Sequence, residues 1–554
     1  MSQTSVEWPV RFNAKYGRPF RVLHVGNVAN NAYLNARMQR DIGIEADVLS
    51  PDYYHIMGTP EWEECELTGA VTDQYRPRWY ELTSSDWRRP SWFVAGPLED
   101  CIDYLLARAA GETVAAERSS RLLDALNGTR RVRIVEWPGF GGALLKRQFL
   151  RVLRWACDPV RVRRKLAQLW VHRGSQAAVE PRVIAWAMRI LTSLSVGGAH
   201  LALAARRLSA RGQRADDAFD LRARTLVADF ASAFPSRADQ LSRSDLVQFK
   251  PVLGKLERLF ACYDLIHAYG SLPALPLMAG SRYVALEHGT LRTLPFENSD
   301  TGRLTALAYH KAAAVFVTNS DCYRHAQVLA SKRARFLPHP YDEKRARKRL
   351  RGANELRSDL CRELEVDWLV FFPTRHDWVT GKGFADKGND QMLRAFVKLR
   401  RAGLKVGIVC CAWGRNVLQS QTLMATAGVS SAVRWCPPLS SIAFERYMAA
   451  CDVVADQFVL GAFGGVVFRA LGMGRPVCTY LRTDDLSEMF GRAPPVLNCR
   501  TDDEIYVCLS ELFRSSVKLR CLEAAGVEWM RQYHSGKETL RIQLEVYQSL
   551  CDEA

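Results

Sequence analysis

The sequence has no cysteine pair with the spacing of a zinc site. Its 15 cysteines are scattered along 554 residues, and no two of them form a Cys-x-x-Cys pair. Their number is odd, which also argues against a complete disulfide framework. We therefore expect no metal centre, and reduced, mostly buried cysteines of the kind found in cytosolic proteins.

The sequence also has no clear targeting or membrane-spanning segment. Residues 1–20 contain no apolar stretch ahead of a small-residue cleavage site, so we expect no signal peptide. Residues 183–205 are mostly apolar, but Arg189, His200 and the glycine pair at 197–198 interrupt them. These interruptions disfavour a helix that spans a membrane.

What is present is an ordinary globular composition with an excess of positive charge. Apolar residues make up 48% and charged residues 24%, which excludes a disordered or collagen-like chain. The length allows two to four domains of ordinary size. The net charge of +17 suits one of three partners: nucleic acid, an anionic membrane surface or a phosphate-bearing substrate.

Nearly all of this charge lies in one segment, residues 130–214. The segment holds 18 lysines and arginines against three acidic residues, and Trp, Leu and Val recur between them at helical spacing. One interpretation is a helical insertion with a solvated arginine face. Another is a helix that lies on an anionic membrane surface. We expect no nucleic-acid partner, because no recognised nucleic-acid motif is present.

Outside this segment, short apolar runs alternate with helical segments in two series. Such alternation predicts an α/β fold with parallel sheets, here two Rossmann-like domains that face a cleft. We expect an N-terminal domain at 1–340 with a helical insertion at about 96–260. A second domain at 341–536 and a terminal helix at 537–554 follow.

The second series carries two cations and a glycine-rich loop. Arg375 follows a predicted strand, and Lys387 precedes a predicted helix. Two cations beside a helix N-terminus suit a diphosphate, although ordinary surface charges are the alternative. Gly464 and Gly465 precede another helix, where the absence of side chains lets a ligand approach the backbone N–H groups closely.

The first series carries candidate residues after two of its predicted strands, namely Gly26, Asn30, Asn31, Glu287, His288 and Arg292. Asn30 and Asn31 are placed to form hydrogen bonds with a polar ligand. His288 at a strand end can take part in acid–base chemistry or orient a ligand, although a structural histidine is the alternative.

Four segments in this order resemble the GT-B glycosyltransferases, in particular the family-four-like enzymes of bacterial surface polysaccharide synthesis. They are VLHVGNVANNAY, LEHGTLR, PTRHDW with DKGND, and DQFVLGAFGGVVFRALGMGRPV. The resemblance covers about 20–95 and 260–550. It implies transfer of a sugar from a nucleotide-diphosphate sugar to a glycan or lipid-linked acceptor, with retention, and without a required cofactor or metal.

The resemblance also implies roles for residues on the donor side. Arg375 and Lys387 would hold the donor diphosphate and stabilise the leaving group. The backbone of Gly464, Gly465 and Val466 would lie against the phosphate and the sugar. Trp435 and Cys436 would border the nucleotide base.

Further residues would serve the transferred sugar and the acceptor. His288 would touch the transferred sugar and, with Arg375 and Lys387, complete the catalytic set. Asn30 and Asn31 would border the acceptor and the donor phosphate, in a region that also includes Gly26, Glu287 and Arg292. The terminal helix would cross back to the N-terminal domain.

One departure from the family concerns two glutamates that usually lie eight residues apart around the glycine loop. Gly461 and Arg469 occupy these positions. An arginine cannot accept hydrogen bonds from hydroxyls, so Arg469 would pair with a phosphate, or the site would be degraded. The resulting prediction is a peripheral glycosyltransferase at the cytoplasmic membrane face, and the alternative is a degenerate GT-B protein that serves as a scaffold or partner subunit.

Overall fold

The computed structural model describes residues 7–129 and 198–553, with only the backbone of 198–215. Within these ranges the positions left out are 70, 72, 76, 84–86, 349 and 380–385. The chain divides into two compact units, Met1–Thr129 with Arg222–Ala554 and Arg130–Leu221. Both sheets belong to the first unit. Residues 130–197 lie outside the described residues, so the membrane-facing helices expected there stay a prediction.

The sheet of the first half has seven parallel strands in the order β3-β2-β1-β4-β5-β6-β7. Its strands are apolar and largely buried, as expected for a parallel sheet covered on both faces. The direction of winding reverses between β1 and β4, which is where such sheets bind ligands. The strands are β1 (Arg21–Val25), β2 (Glu45–Pro51), β3 (Phe93–Gly96), β4 (Leu265–Tyr269), β5 (Tyr283–Leu286), β6 (Ala314–Val317) and β7 (Ala334–Phe336).

The sheet of the second half has six parallel strands in the order β10-β9-β8-β11-β12-β13. Here the winding reverses between β8 and β11. The strands are β8 (Trp368–Phe372), β9 (Val406–Cys411), β10 (Val433–Cys436), β11 (Val453–Ala455), β12 (Val477–Thr479) and β13 (Leu497–Asn498).

Helices connect the strands in both halves. Up to β7 they are α1 (Trp8–Tyr16), α2 (Asn31–Arg40), α3 (Pro60–Glu64), α4 (Trp79–Leu82), α5 (Leu98–Ala109), α6 (Thr113–Leu126), α7 (Gly198–Ala233), α8 (Arg243–Leu246), α9 (Leu253–Phe260), α10 (Ala274–Ala279), α11 (Asp300–Lys311) and α12 (Tyr323–Ala330). After β7 they are α13 (Glu343–Lys348), α14 (Ala353–Leu364), α15 (Asn389–Arg401), α16 (Val417–Thr426), α17 (Ser441–Ala450), α18 (Gly465–Gly472), α19 (Thr483–Phe490), α20 (Asp502–Phe513), α21 (Ser516–Tyr533) and α22 (Gly536–Asp552).

The terminal helix α22 packs into the core of the first half, although it follows the second sheet in the chain. Leu544 and Tyr547 are fully buried among side chains from β1, β4 and β5. Gln39 donates a hydrogen bond of 2.8 Å to Gln543, and the Tyr547 hydroxyl lies 2.6 Å from Nδ1 of His267. These contacts tie the end of the chain to the first sheet.

The predicted α/β class with two Rossmann-like domains is confirmed, and this is the architecture of the GT-B fold. Every apolar run that predicts a strand outside the basic segment forms one in the structure. Several elements were not predicted, among them β3 and α1. Strand β3 has only four residues, and α1 is held to the first core by Trp8 and Phe12, which pack on Phe20 at 4.9 and 5.1 Å between ring centroids.

Candidate active site

The carboxyl ends of the central strands of both sheets border a cavity of 410 Å³. This volume suits a small-molecule ligand. The cavity wall takes residues that follow β1, β5 and β7 in the first half and β8, β9 and β11 in the second. Among them are Asn31, His288, His339, Arg375, Trp413 and Gln457.

Arg375 follows β8 and lines the cavity next to a buried carboxylate. Its Nε lies 2.6 Å from Oδ2 of Asp377, while the arginine side chain is 44% exposed. Burial alone would raise the pKa of Asp377, but hydrogen bonds from Arg415 and the charge of Arg375 outweigh it and hold that pKa below its usual range. Asp377 is therefore charged at neutral pH and orients the Arg375 guanidinium.

Lys387 lines the same end of the cavity, immediately before α15. Its backbone N–H donates to the carbonyl of Asp377 at 2.8 Å, and its carbonyl accepts from Phe458 at 2.9 Å. Its Nζ donates to Gln457 at 3.1 Å. Burial lowers the pKa of Lys387, and the charges of Arg375 and Arg292 lower it further, while the nearby Asp456 opposes them in part. A bound anion would relieve this cost, so the site favours a negatively charged ligand.

The glycine loop reaches the cavity at the N-terminus of α18. Gly464 precedes the helix, and Gly464, Gly465 and Val466 all line the cavity. A Cβ at Gly464 would lie 3.3 Å from Oδ2 of the buried Asp456. The first N–H groups of a helix have no partner within it and carry a partial positive charge. They therefore add hydrogen-bond donors to the cationic end of the cavity formed by Arg375 and Lys387.

Asn31 and His288 meet on the opposite wall. Nδ2 of Asn31 donates to the Val28 carbonyl at 2.9 Å and lies 3.3 Å from Nδ1 of His288. Since an amide nitrogen donates, Nδ1 of His288 accepts and the ring proton belongs on Nε2. Burial lowers the pKa of His288, so the ring is neutral near pH 7. His288 can offer one N–H donor to a ligand.

Four predicted residues of the first half do not line the cavity, and two of them, Asn30 and Gly26, belong to the turn after β1. Asn30 donates to the Thr59 carbonyl at 2.7 Å, so its amide serves the loop. Gly26 adopts φ +100°, and a Cβ there would meet Leu272 at 2.8 Å. Their contribution is to the shape of the β1 turn.

Glu287 and Arg292 also serve the backbone around the site. Oε1 of Glu287 accepts from the N–H groups of Thr318 at 3.0 Å and Asn319 at 2.9 Å, and Oε2 accepts from Gly289 at 2.6 Å. Arg292 pairs with Asp321 at 2.5 Å. These contacts fix the turn that carries His288, and neither side chain lines the cavity.

Trp435 and Cys436, which were predicted to border the nucleotide base, do not line the cavity. Trp435 packs on His376 with 5.2 Å between ring centroids, and Sγ of Cys436 lies 3.6 Å from Sγ of Cys411. Both side chains pack against the hydrophobic core of the second half. Pro438 and Leu439, a few residues further on, line the cavity instead.

Arg469 lines the cavity, but its guanidinium is already paired. It lies 3.5 Å from Oε1 of Glu63 and 3.5 Å from Oε1 of Glu445, and its side chain is 15% exposed. Burial alone would lower the pKa of Arg469, but the two carboxylates outweigh it and raise it. The expected pairing with a phosphate is therefore replaced by a buried ion-pair triad.

Gly461, the other position at which the resemblance predicts a glutamate, lies in a tightly packed turn. Its φ is +75°, and a Cβ would lie 2.7 Å from Cγ of Arg482 and 2.9 Å from Cε1 of Tyr480. A glutamate at this position would need a different loop conformation.

The sequence analysis did not identify several polar and aromatic cavity residues, among them His55, Trp62, Glu63 and His339. The first three belong to the segment between β2 and β3, which has no clear periodicity. His339 follows β7, and its backbone N–H donates to Nε2 of His534 at 3.0 Å. A histidine within three residues of a strand end was the available signal, as it was for His288.

No group of three or more metal-ligating side chains is present among the described residues. No helix in the described part of the chain combines the length and apolar character needed to cross a membrane.

Comparisons with known proteins find similarity at the level of the fold. No protein-family model and no curated protein matches the chain. HepE from Anabaena, solved with UDP and glucose, is 16% identical with a TM-score of 0.44, over 56% of this chain and 82% of HepE. Sucrose-phosphate synthase from Thermosynechococcus elongatus is 13% identical with a TM-score of 0.40, over 55% and 80%. Similarity at this level does not assign an activity.

Proposed function

We propose that the chain is a glycosyltransferase that moves a sugar from a nucleotide-diphosphate sugar to a glycan or lipid-linked acceptor, with retention. The observation that carries the proposal is the cationic end of the cavity. Arg375, Lys387 and the N-terminus of α18 converge there from three separate segments of the second half.

The chemistry of this end suits a diphosphate that becomes a leaving group. Two cations and backbone N–H donors stabilise the negative charge that develops on the diphosphate as the glycosidic bond breaks. The buried position of Lys387 strengthens this effect, since charge interactions are stronger where water is excluded. Asp377 holds Arg375 in place before the substrate arrives.

The opposite wall suits the transferred sugar and the acceptor. His288 presents an Nε2–H donor, held in this tautomer by Asn31. Apolar and aromatic residues continue the wall, including Ile56, Met57 and Trp62. Such surfaces pack against sugar rings while a few polar groups set the orientation.

We also propose that the acceptor is reached at an anionic membrane surface through the basic segment 130–214. The support is its charge of +15 and the regular spacing of Trp and Leu between the cations. Flotation of the chain with anionic and with neutral liposomes tests it. Binding to anionic vesicles that is lost on deletion of 130–214 is expected, and equal binding to neutral vesicles would contradict it.

The activity itself is tested with purified chain and a panel of nucleotide sugars, by donor hydrolysis or transfer. We expect turnover of at least one donor, unchanged by EDTA, and a loss of at least 100-fold in Lys387→Ala and Arg375→Ala. Arg415→Ala is the matched control, because Arg415 pairs with the same Asp377 at 3.3 Å but does not line the cavity. Full activity in the Arg375 and Lys387 variants would overturn the site. Absence of nucleotide binding would instead favour the degenerate scaffold.

A further inference from the structure

The cavity wall carries a second charged group, opposite in net sign to the pair Arg375 and Lys387. Glu63, on the short helix α3 of the first half, lines the cavity and is only 5% exposed. It lies next to Arg469, which comes from α18 of the second half. Each half of the fold therefore supplies one member of this buried pair.

The triad of Glu63, Arg469 and Glu445 carries a net negative charge, since two carboxylates face one guanidinium. Both carboxylates lie 3.5 Å from the same arginine. A phosphate placed here would meet an arginine that is already neutralised and two groups of its own sign. The ligand chemistry that fits is uncharged and rich in hydrogen-bond donors.

Glu63 still has acceptor capacity toward the cavity. A carboxylate offers about four lone-pair sites. Among the described residues only Arg469 donates to Glu63, over a long 3.5 Å contact to Oε1. A buried carboxylate with unfilled acceptor sites is costly unless a ligand or water fills them. Ser441, which also lines the cavity and lies 3.4 Å from Nη1 of Arg469, adds a hydroxyl beside it.

We propose that Glu63 binds the hydroxyl groups of a vicinal diol on the bound nucleotide sugar, and that Arg469 holds its carboxylate in position. The inference rests on the proposed function and deepens it. With the diphosphate at Arg375 and Lys387 and the diol at Glu63, two charged groups of the cavity wall fix the direction in which the donor lies. The carboxylate that accepts from hydroxyls thus comes from the first half, so diol binding requires both halves to be in contact.

Calorimetric titration of the full chain tests this with three ligands. They are a nucleoside diphosphate, its 2′,3′-dideoxy analogue and the corresponding nucleotide sugar. We expect Glu63→Gln to weaken binding of a diol-bearing ligand at least tenfold, because a hydrogen bond to a charged group is lost. Loss with the nucleoside diphosphate identifies the ribose diol, whereas loss with the nucleotide sugar alone identifies the sugar diol. In the first case binding of the dideoxy analogue changes less than twofold.

Glu445→Gln is the matched control. It removes a carboxylate at the same distance from Arg469, but Glu445 does not line the cavity. We expect this variant to change the affinities for all three ligands by the same factor. The ratio of affinities for two ligands, measured within one variant, does not depend on how much of the protein is folded. Glu63→Asp, which keeps the charge, is expected to recover part of that ratio.

Two outcomes would overturn the inference while leaving the proposed function intact. In one, the wild-type chain binds all three ligands and the Glu63→Gln variant binds each of them with unchanged affinity. The other is an equal loss for every ligand in Glu63→Gln and Glu445→Gln. A wild-type chain that binds none of the ligands would instead refute the proposed function, and the inference with it.

Discussion

Three buried histidines predict that the fold loses stability steeply between pH 7 and pH 5. Burial lowers the pKa of His24 to about 4, of His376 to about 4 and of His339 to about 3. For His339 the charges of His288 and Arg469 lower the pKa further. All three side chains are at most 5% exposed, so each is neutral in the folded protein at neutral pH.

The magnitude follows from proton linkage. In the unfolded chain a histidine has a pKa of about 6.5, so it binds a proton at pH 5 while the folded form does not. The stabilisation is complete above pH 6.5 and is lost as the pH falls toward the folded-state values. At 1.36 kcal/mol per pKa unit, each histidine contributes a loss of about 2 kcal/mol between pH 7 and pH 5. Together they remove about 6 kcal/mol, which is comparable to the total stability of many domains.

Urea unfolding at a series of pH values measures this loss. His24→Asn lowers the stability at every pH, but the loss between pH 7 and pH 5 shrinks by about 2 kcal/mol. Tyr269→Phe is the control, because it removes the 2.8 Å hydrogen bond to Nδ1 of His24 and leaves the titrating ring in place. An unfolding free energy that differs by less than 1 kcal/mol between pH 7 and pH 5 would refute the reasoning.

Three further predictions concern packing and charge, all measured by urea unfolding. Leu544→Ala in α22 costs about 2–5 kcal/mol, because the fully buried side chain leaves a cavity in the first core. Arg469→Met costs about 3–5 kcal/mol, since Glu63 and Glu445 then remain buried without their cation. Gly461→Glu costs at least about 1–2 kcal/mol from the left-handed backbone alone, and it does not improve nucleotide binding.

Each of these three has a clear contrary result. A Leu544→Ala cost below 1 kcal/mol would mean that α22 is not part of the first core. An Arg469→Met variant as stable as wild type would contradict the charged triad. A Gly461→Glu variant that keeps full stability and binds nucleotide more tightly would show that the loop accommodates the family's glutamate after all.

The strands could be predicted from the sequence because parallel strands are buried on both faces. Each then forms an uninterrupted apolar run, such as VGIVCC around β9, which few other structures produce. Strand β3 was not predicted, because Pro90 and Pro97 flank its four residues and prolines at such positions indicate a loop. The basic segment was visible through its charge and through the helical spacing of Trp, Leu and Val, but its residues 130–197 lie outside the described part of the chain.

The sequence predicts those residues of the site whose functional groups lie within one short segment, next to a strand end or a helix start. Arg375, Lys387 and the Gly464 loop each follow a strand or precede a helix, and all of them line the cavity. Glu63 could not be found in this way, since its role depends on contact with Arg469, 406 residues away in the chain.

The most direct test of the central claim is a crystal structure of the chain with a bound nucleoside diphosphate. The account predicts diphosphate oxygens within hydrogen-bond distance of Arg375, Lys387 and the N–H groups of Gly465 and Val466, and a ribose directed toward Glu63. A nucleotide bound with its phosphates away from Arg375 and Lys387 would contradict it.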